Sequence, residues 1–119
     1  MKDALVAFLD CVVEQLTNSS LPPGCLIANS TLECGKKGFE NIGQRLSQCH
    51  AETEVALFNR LRLAQKQGQI SKAEDLQALA QFFVITMLGM GVIARTNRDP
   101  AVIKQLAKTA LRVLPDASQ

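Results

Sequence analysis

The sequence predicts an all-α fold, a single domain of five helices, and three observations support this. Apolar residues recur at helical spacing through four long segments. Clusters of glycine, proline, asparagine and serine separate these segments. The chain has 119 residues, of which 47% are hydrophobic, and a mean hydropathy of +0.08. This length and composition suit one folded domain over residues 1–119 with a moderate core.

The first helix is predicted from Asp3 to about Thr17, and a short second helix follows. The apolar stripe of the first helix consists of Leu5, Phe8, Leu9, Val12 and Leu16. The second helix, called the connector here, covers residues 24–35 and is bounded by Gly24 and Gly35. Its centre is Asn-Ser-Thr, which forms helix only moderately well, so neighbouring elements must hold it in place.

A long third helix, the strut, is predicted from about Phe39 to Gln67, with Gly68 as its stop. Its stripe consists of Phe39, Ile42, Leu46, Cys49, Thr53, Leu57, Leu61 and Ala64. Residues 55–58 are consecutively apolar and therefore point in all directions around the axis. The strut is thus expected to be central and covered on more than one side.

The fourth helix is predicted from about Lys72 to Arg95. Ser71 and Glu74 have the spacing of a capping box, which would start this helix. Within residues 82–94 the only clearly polar side chain is that of Thr86. This run is shorter than the ~20 residues that span a bilayer. Protein is therefore expected to cover it, and no membrane partner is predicted.

The fifth helix is predicted to begin at Asp99, as N-cap, and Pro100, in the first turn. Its apolar stripe consists of Ile103, Leu106, Ala107, Ala110, Leu111 and Leu114. Lys104, Lys108 and Arg112 are expected to face water.

The last two helices carry more apolar surface than one chain is expected to cover. Four or five aliphatic side chains left in water, at roughly 1.5–3 kcal/mol each, would offset much of a domain's net stability. Gly89 and Gly91 each weaken a helix by about 1 kcal/mol, a cost explained by close approach of a second backbone. A homodimer through a four-helix bundle is therefore predicted, and the alternative is a monomer that covers this surface itself. The predicted interface residues are Gly89, Val92, Ile93, Ile103, Leu106, Ala107, Ala110 and Leu111.

The four cysteines, Cys11, Cys25, Cys34 and Cys49, lack the C-x-x-C spacing of zinc or dithiol sites. They are expected to be buried thiols. Cys49 and His50 diverge by about 100° on a helix, so no metal site is predicted. A redox-sensing domain that uses Cys25 or Cys34 is the alternative function.

Charge and motif content exclude several classes. Thirteen basic and eleven acidic residues are interleaved along the chain, which leaves no basic face for nucleic acid. Asp3, Asp10 and Glu14 interrupt the apolar N-terminal run, so we expect a cytoplasmic protein without a signal peptide. A single histidine and no recognisable catalytic constellation make a small helical enzyme the least favoured class, and no cofactor is predicted.

Several segments in order carry a resemblance to a known family. They are GCLIANSTLE, then ALFNRLRLAQKQGQI, then DLQALAQFFVITMLGMGVIARTNRDPAVIKQLAKTALRVL. Nearly the whole chain resembles the C-terminal domain of the tetracycline repressor (TetR) family of bacterial transcription regulators. That resemblance implies a homodimer that binds a small effector, with an N-terminal helix-turn-helix domain gripping operator DNA. No helix-turn-helix precedes Met1, so the chain is expected to be an excised domain or truncated product that does not bind operator DNA alone.

The resemblance also implies an effector pocket between the first helix, the connector, the strut and the fourth helix. The candidate ligand-binding residues are Phe8, Val12, Ser30, His50, Thr53, Leu57, Phe58, Leu61, Phe83, Thr86 and Met87. The apolar stripes carry no charged cluster, so the expected effector is lipophilic and neutral or weakly acidic. The alternative is that the phenylalanines are simply core and that His50 is a satisfied surface or core histidine. The connector is expected to shift when the effector binds.

Overall fold

The computed structural model describes residues 2–18, 20, 28–30, 38, 40–97 and 99–114. Within these ranges the chain is helical and contains no strand, so the all-α prediction is confirmed. The bounds of the long helices are α1 (Lys2–Thr17), α2 (Glu40–Lys66), α3 (Leu76–Ile93) and α4 (Pro100–Leu111). The strut is α2, and the predicted fourth and fifth helices are α3 and α4. Ala28–Ser30, in the middle of the connector, are helical, and the remainder of the connector lies outside the described residues.

The strut ends where the sequence predicts. Gly68 has a φ of +78°, a left-handed conformation that glycine adopts without steric cost. Its amide donates to the Gln65 carbonyl at 3.1 Å, and the Gln69 amide donates to the Ala64 carbonyl at 2.9 Å. Carbonyls of the last turn, which have no partner within the helix, are thereby satisfied.

The predicted capping box of α3 is wrong. The N-cap is Asp75, whose carboxylate accepts from the amides of Gln77 and Ala78, both at 3.1 Å. The Ser71 hydroxyl instead accepts from the Ala73 amide at 3.2 Å, inside the preceding turn. Asp75 directly precedes the apolar run, so the helix starts at Leu76 rather than Lys72.

The start of α4 is as predicted. The Asp99 carboxylate accepts from the Ala101 amide at 3.0 Å, and Pro100 occupies the first turn. Lys104, Lys108 and Arg112 are all exposed.

The central helix is α3, not the strut. Among the described helices, α3 contacts α1, α2 and α4, while α2 contacts only α3. The prediction that the strut is the central helix is therefore wrong, whereas its covering on more than one side stays a prediction, because most of the connector lies outside the described residues. Of its consecutive apolar residues, Leu57 and Phe58 turn toward the core, whereas Val55 is 57% exposed.

Two buried clusters surround α3. The first joins α1, α2, α3 and α4 through Leu5, Leu61, Ala64, Ile70, Leu76, Leu79, Ala80, Phe83, Ala110 and Leu114. The second joins α1 to the end of α3 and to α4 through Leu9, Val13, Leu16, Met90, Ala94, Ile103 and Ala107. The main role of α1 is thus to cover the inner side of α4.

Two further expectations about burial are corrected. Phe8 was expected on the buried stripe of the first helix but is 39% exposed, and Val13 takes the inward position instead. Cys11 is exposed and Cys49 is half-buried, so neither is the buried thiol expected. Cys11 follows Asp10 on the outer side of α1, which explains its exposure.

By length and composition, α3 is apolar enough to cross a bilayer, contrary to the sequence-based expectation. Its 18 residues have a mean hydropathy of 1.8, and 39% of them are buried inside the molecule. Core helices of soluble proteins share these properties, so the helix does not indicate a membrane protein.

Candidate functional site

The predicted effector cleft would lie where α1 and α2 flank α3. Both helices contact α3, but within the described part of the chain their Cα atoms do not come within 8 Å of each other. A cleft between them would therefore have α3 as its floor. Leu5 of α1 and Leu61 of α2 join the same buried cluster.

The predicted ligand-binding residues fall into three groups by burial. Leu61 and Phe83 are core residues, 0% and 2% exposed. Leu57, Phe58 and Val12 are half-buried, the first two against the first cluster and Val12 against the second. Ser30, His50, Thr53, Thr86 and Met87 are also half-buried, and Phe8 is exposed. The structure thus brings Leu57, Phe58, Leu61 and Phe83 together in one cluster.

The polar groups of this set are neutral hydroxyls and one imidazole. The Thr53 hydroxyl donates to the Cys49 carbonyl at 2.9 Å, which leaves its oxygen lone pairs as acceptors. None of the predicted lining residues carries a carboxylate, an ammonium or a guanidinium group. Over the described ranges, no group of three or more His, Cys, Asp or Glu side chains could hold a metal ion. Such a lining suits an apolar ligand with a few hydrogen-bonding atoms.

The predicted interface residues divide between core and surface. Ile103 and Ala107 are buried in the second cluster and Ala110 in the first, so they have almost no surface to give to a partner. Val92 and Leu111 are half-buried, whereas Gly89, Ile93 and Leu106 are exposed. At Gly89, an added Cβ would meet nothing within 4 Å in the single chain.

The structure adds four exposed apolar residues that sequence reasoning missed: Phe82, Ile85, Val102 and Val113. Phe82 and Ile85 lie with Gly89 and Ile93 along one side of α3 at steps of three and four residues. On α4, Val102 and Leu106 are four residues apart and line a shallow depression of about 520 Å³, and the exposed Val113 follows in the turn after the helix. The spacing of these outward-facing residues could have predicted the exposed rows from the sequence. It did not, because α3 carries apolar residues on every side. We call these two rows the apolar strips of α3 and α4.

Cys25 and Cys34, the residues of the redox alternative, lie outside the described residues.

Comparisons with known proteins agree with the fold. Residues 2–110 match the family model described as the tetracyclin repressor-like C-terminal domain. The chain is 27% identical over 116 residues to the HTH-type transcriptional repressor ComR of Escherichia coli (strain K12), covering 98% of this chain and 55% of that protein. It therefore spans about half the length of this curated relative.

A solved structure shows the same architecture. The crystal structure of a TetR transcriptional regulator from Chloroflexus aurantiacus J-10-FL superposes with a TM-score of 0.80 at 21% identity. The match covers 93% of this chain and 56% of that one. Both relatives are described as transcription regulators and not as enzymes. The chain therefore belongs to the tetracycline repressor-like C-terminal domain family.

Proposed function

We propose that this chain is the effector-binding and dimerisation domain of a cytoplasmic transcriptional repressor. In this proposal, operator DNA is held by an N-terminal helix-turn-helix domain and is released when a small lipophilic ligand binds. The family membership over residues 2–110 supports a regulatory role. The relative in Escherichia coli is itself described as an HTH-type transcriptional repressor.

The single observation that carries the dimerisation proposal is the exposure of the apolar strips. Their side chains Phe82, Ile85, Ile93, Val102, Leu106 and Val113 are between 36% and 67% exposed. Covering them would contribute about 4–8 kcal/mol per chain, and a two-fold dimer gains this twice. That is comparable to the cost of association, so a stable dimer is energetically reasonable.

The dimensions of the molecule support the same proposal. The structure measures 47 × 33 × 17 Å, with a radius of gyration of 15.4 Å. A compact chain of this length has a radius of gyration of about 13.5 Å.

The effector proposal is supported by the half-buried candidate residues on the helices that flank α3 and on α3 itself, none of which carries a carboxylate, ammonium or guanidinium group. It can be tested with N-phenyl-1-naphthylamine, a neutral lipophilic probe whose fluorescence rises in apolar sites. Phe8→Ser removes a proposed wall of the cleft and is expected to weaken probe binding about tenfold. Because Phe8 is 39% exposed, the substitution should leave folding nearly intact.

Val6→Ser is the matched control. Val6 is 36% exposed on the same helix, but it lies about 200° around the axis from Phe8. Probe affinity should therefore stay at the wild-type value. Equal affinities for both variants, or no probe binding by the wild type, would refute the proposed cleft.

A further inference from the structure

The strut is packed very unevenly along its length. Its buried residues are Leu61 and Ala64, both in the C-terminal half. Every residue from 40 to 56 is exposed or only half-buried. We call residues 57–66 the C-terminal half of the strut and residues 40–56 its N-terminal half.

Two side-chain hydrogen bonds fix the strut to the region around the start of α3. The Gln65 side-chain amide donates to the Ser71 carbonyl at 3.0 Å, which fixes the C-terminal half to the turn before α3. Glu54, in the last turn of the N-terminal half, accepts from the Gln77 side-chain amide at the start of α3. The side-chain bonds of Arg45 with Gln48 and of Thr53 with Cys49 lie within the strut, and His50 takes part in a further interaction.

Local sequence adds to the difference in stability. The N-terminal half contains Asn41, Gly43 and Ser47, which are weak helix formers. Most helical stability in proteins comes from packing. In the N-terminal half the residues nearest the core, 43, 46, 49, 50, 53 and 54, are only half-buried, so this half gains less from packing than the C-terminal half. Opening of the N-terminal half should therefore require much less free energy than opening of the core.

We infer that the strut is a two-part element: its C-terminal half is fixed to the core, its N-terminal half opens independently, and a ligand in the effector cleft suppresses that opening. The ligand part rests on the proposed function. His50 and Thr53 of the cleft lie on the N-terminal half, whereas Leu57 and Phe58 lie on the C-terminal half. A ligand that contacts both pairs bridges the boundary and stabilises the closed helix.

Hydrogen exchange measured by mass spectrometry tests the inference on the 119-residue chain. In the absence of ligand, amides of residues 44–54 should exchange at least about tenfold faster, after correction for intrinsic rates, than those of 58–66. Uniform protection along the strut would overturn the inference.

Two matched substitutions of exposed arginines make the test independent of absolute rates. Arg62→Gly weakens the C-terminal half and should raise exchange of residues 58–66 about fivefold, while residues 44–54 keep their wild-type rates. A parallel rise in both halves would mean that the strut opens as one unit, which contradicts the inference. Arg45→Gly should raise exchange of residues 44–54 about fivefold and confirms that this segment responds to helix propensity.

Saturating N-phenyl-1-naphthylamine tests the coupling to the cleft. The probe should slow exchange of residues 44–54 at least about threefold. If it binds by fluorescence but leaves these rates unchanged, the ligand coupling is refuted while the proposed cleft stands. If it does not bind, the proposed lipophilic effector is refuted, and the measurements without ligand still decide whether the strut has two parts.

Discussion

At the scale of single residues, the sequence identified the right kinds of residue at helix ends but not always the right one. Asp99, Pro100 and Gly68 act as predicted, because each has one dominant local preference. At the start of α3, two caps compete within five residues. Asp75 prevails over Ser71 because it borders the first buried residue of the helix, a feature of tertiary packing that spacing alone does not reveal.

This correction gives a first prediction. Asp75→Ala should lower the free energy of unfolding by about 1 kcal/mol, since two helical amides lose their acceptor. Ser71→Ala should cost only a few tenths of a kcal/mol because its one acceptor bond lies in an exposed turn. Urea denaturation of both variants measures the difference, and a larger loss for Ser71→Ala would restore the capping box.

At the scale of helices, periodicity predicted where the four long helices lie but not which of them is central. Residues 55–58 predicted that the strut is the central helix, yet Val55 faces solvent, and among the described helices it is α3 that contacts three neighbours. A consecutive apolar run indicates that some of its side chains are buried. How many of them are buried depends on the number of helices that pack around it. The candidate site is affected in the same way: Phe8, which the stripe of the first helix placed inward, is exposed, and Val13, which the stripe did not include, is buried.

A second prediction follows from the packing of the strut. Leu61 is fully buried between α2 and α3, whereas Leu63, two residues away, is 43% exposed. Leu61→Ala should lower the free energy of unfolding by about 2–5 kcal/mol, and Leu63→Ala by less than about 1 kcal/mol. Similar losses in urea denaturation would show that the strut is covered on both sides after all.

At the scale of the whole molecule, the sequence predicted that one chain leaves apolar surface uncovered, and the apolar strips are that surface. The predicted interface residues included Ile103, Ala107 and Ala110, which α1 and α3 bury within the chain. Helical spacing could not separate the inner face of α4 from its outer face, because both carry apolar residues. For the same reason the sequence did not identify Phe82 and Ile85, which belong to the proposed interface.

Gly89 provides a third prediction at this scale. No atom lies near a Cβ placed there in the single chain, so Gly89→Ala should stabilise an isolated monomer by up to about 1 kcal/mol. A larger side chain, in Gly89→Leu, should weaken self-association if a partner backbone approaches this point. Sedimentation across a concentration series measures this effect, and unchanged association by Gly89→Leu would remove Gly89 from the interface.

The most direct test of the account is the solution mass of the wild type beside two glutamate variants. The wild-type chain should sediment at twice its 12.9 kDa mass at micromolar concentration. Ile85→Glu, at the most exposed position of the α3 strip, should sediment as a folded monomer because a buried, unpaired carboxylate opposes association. Val55→Glu, at a position 57% exposed on the strut, should remain a dimer. A wild-type chain that stays monomeric, or an Ile85→Glu variant that still dimerises, would contradict the assignment of the apolar strips as the subunit interface.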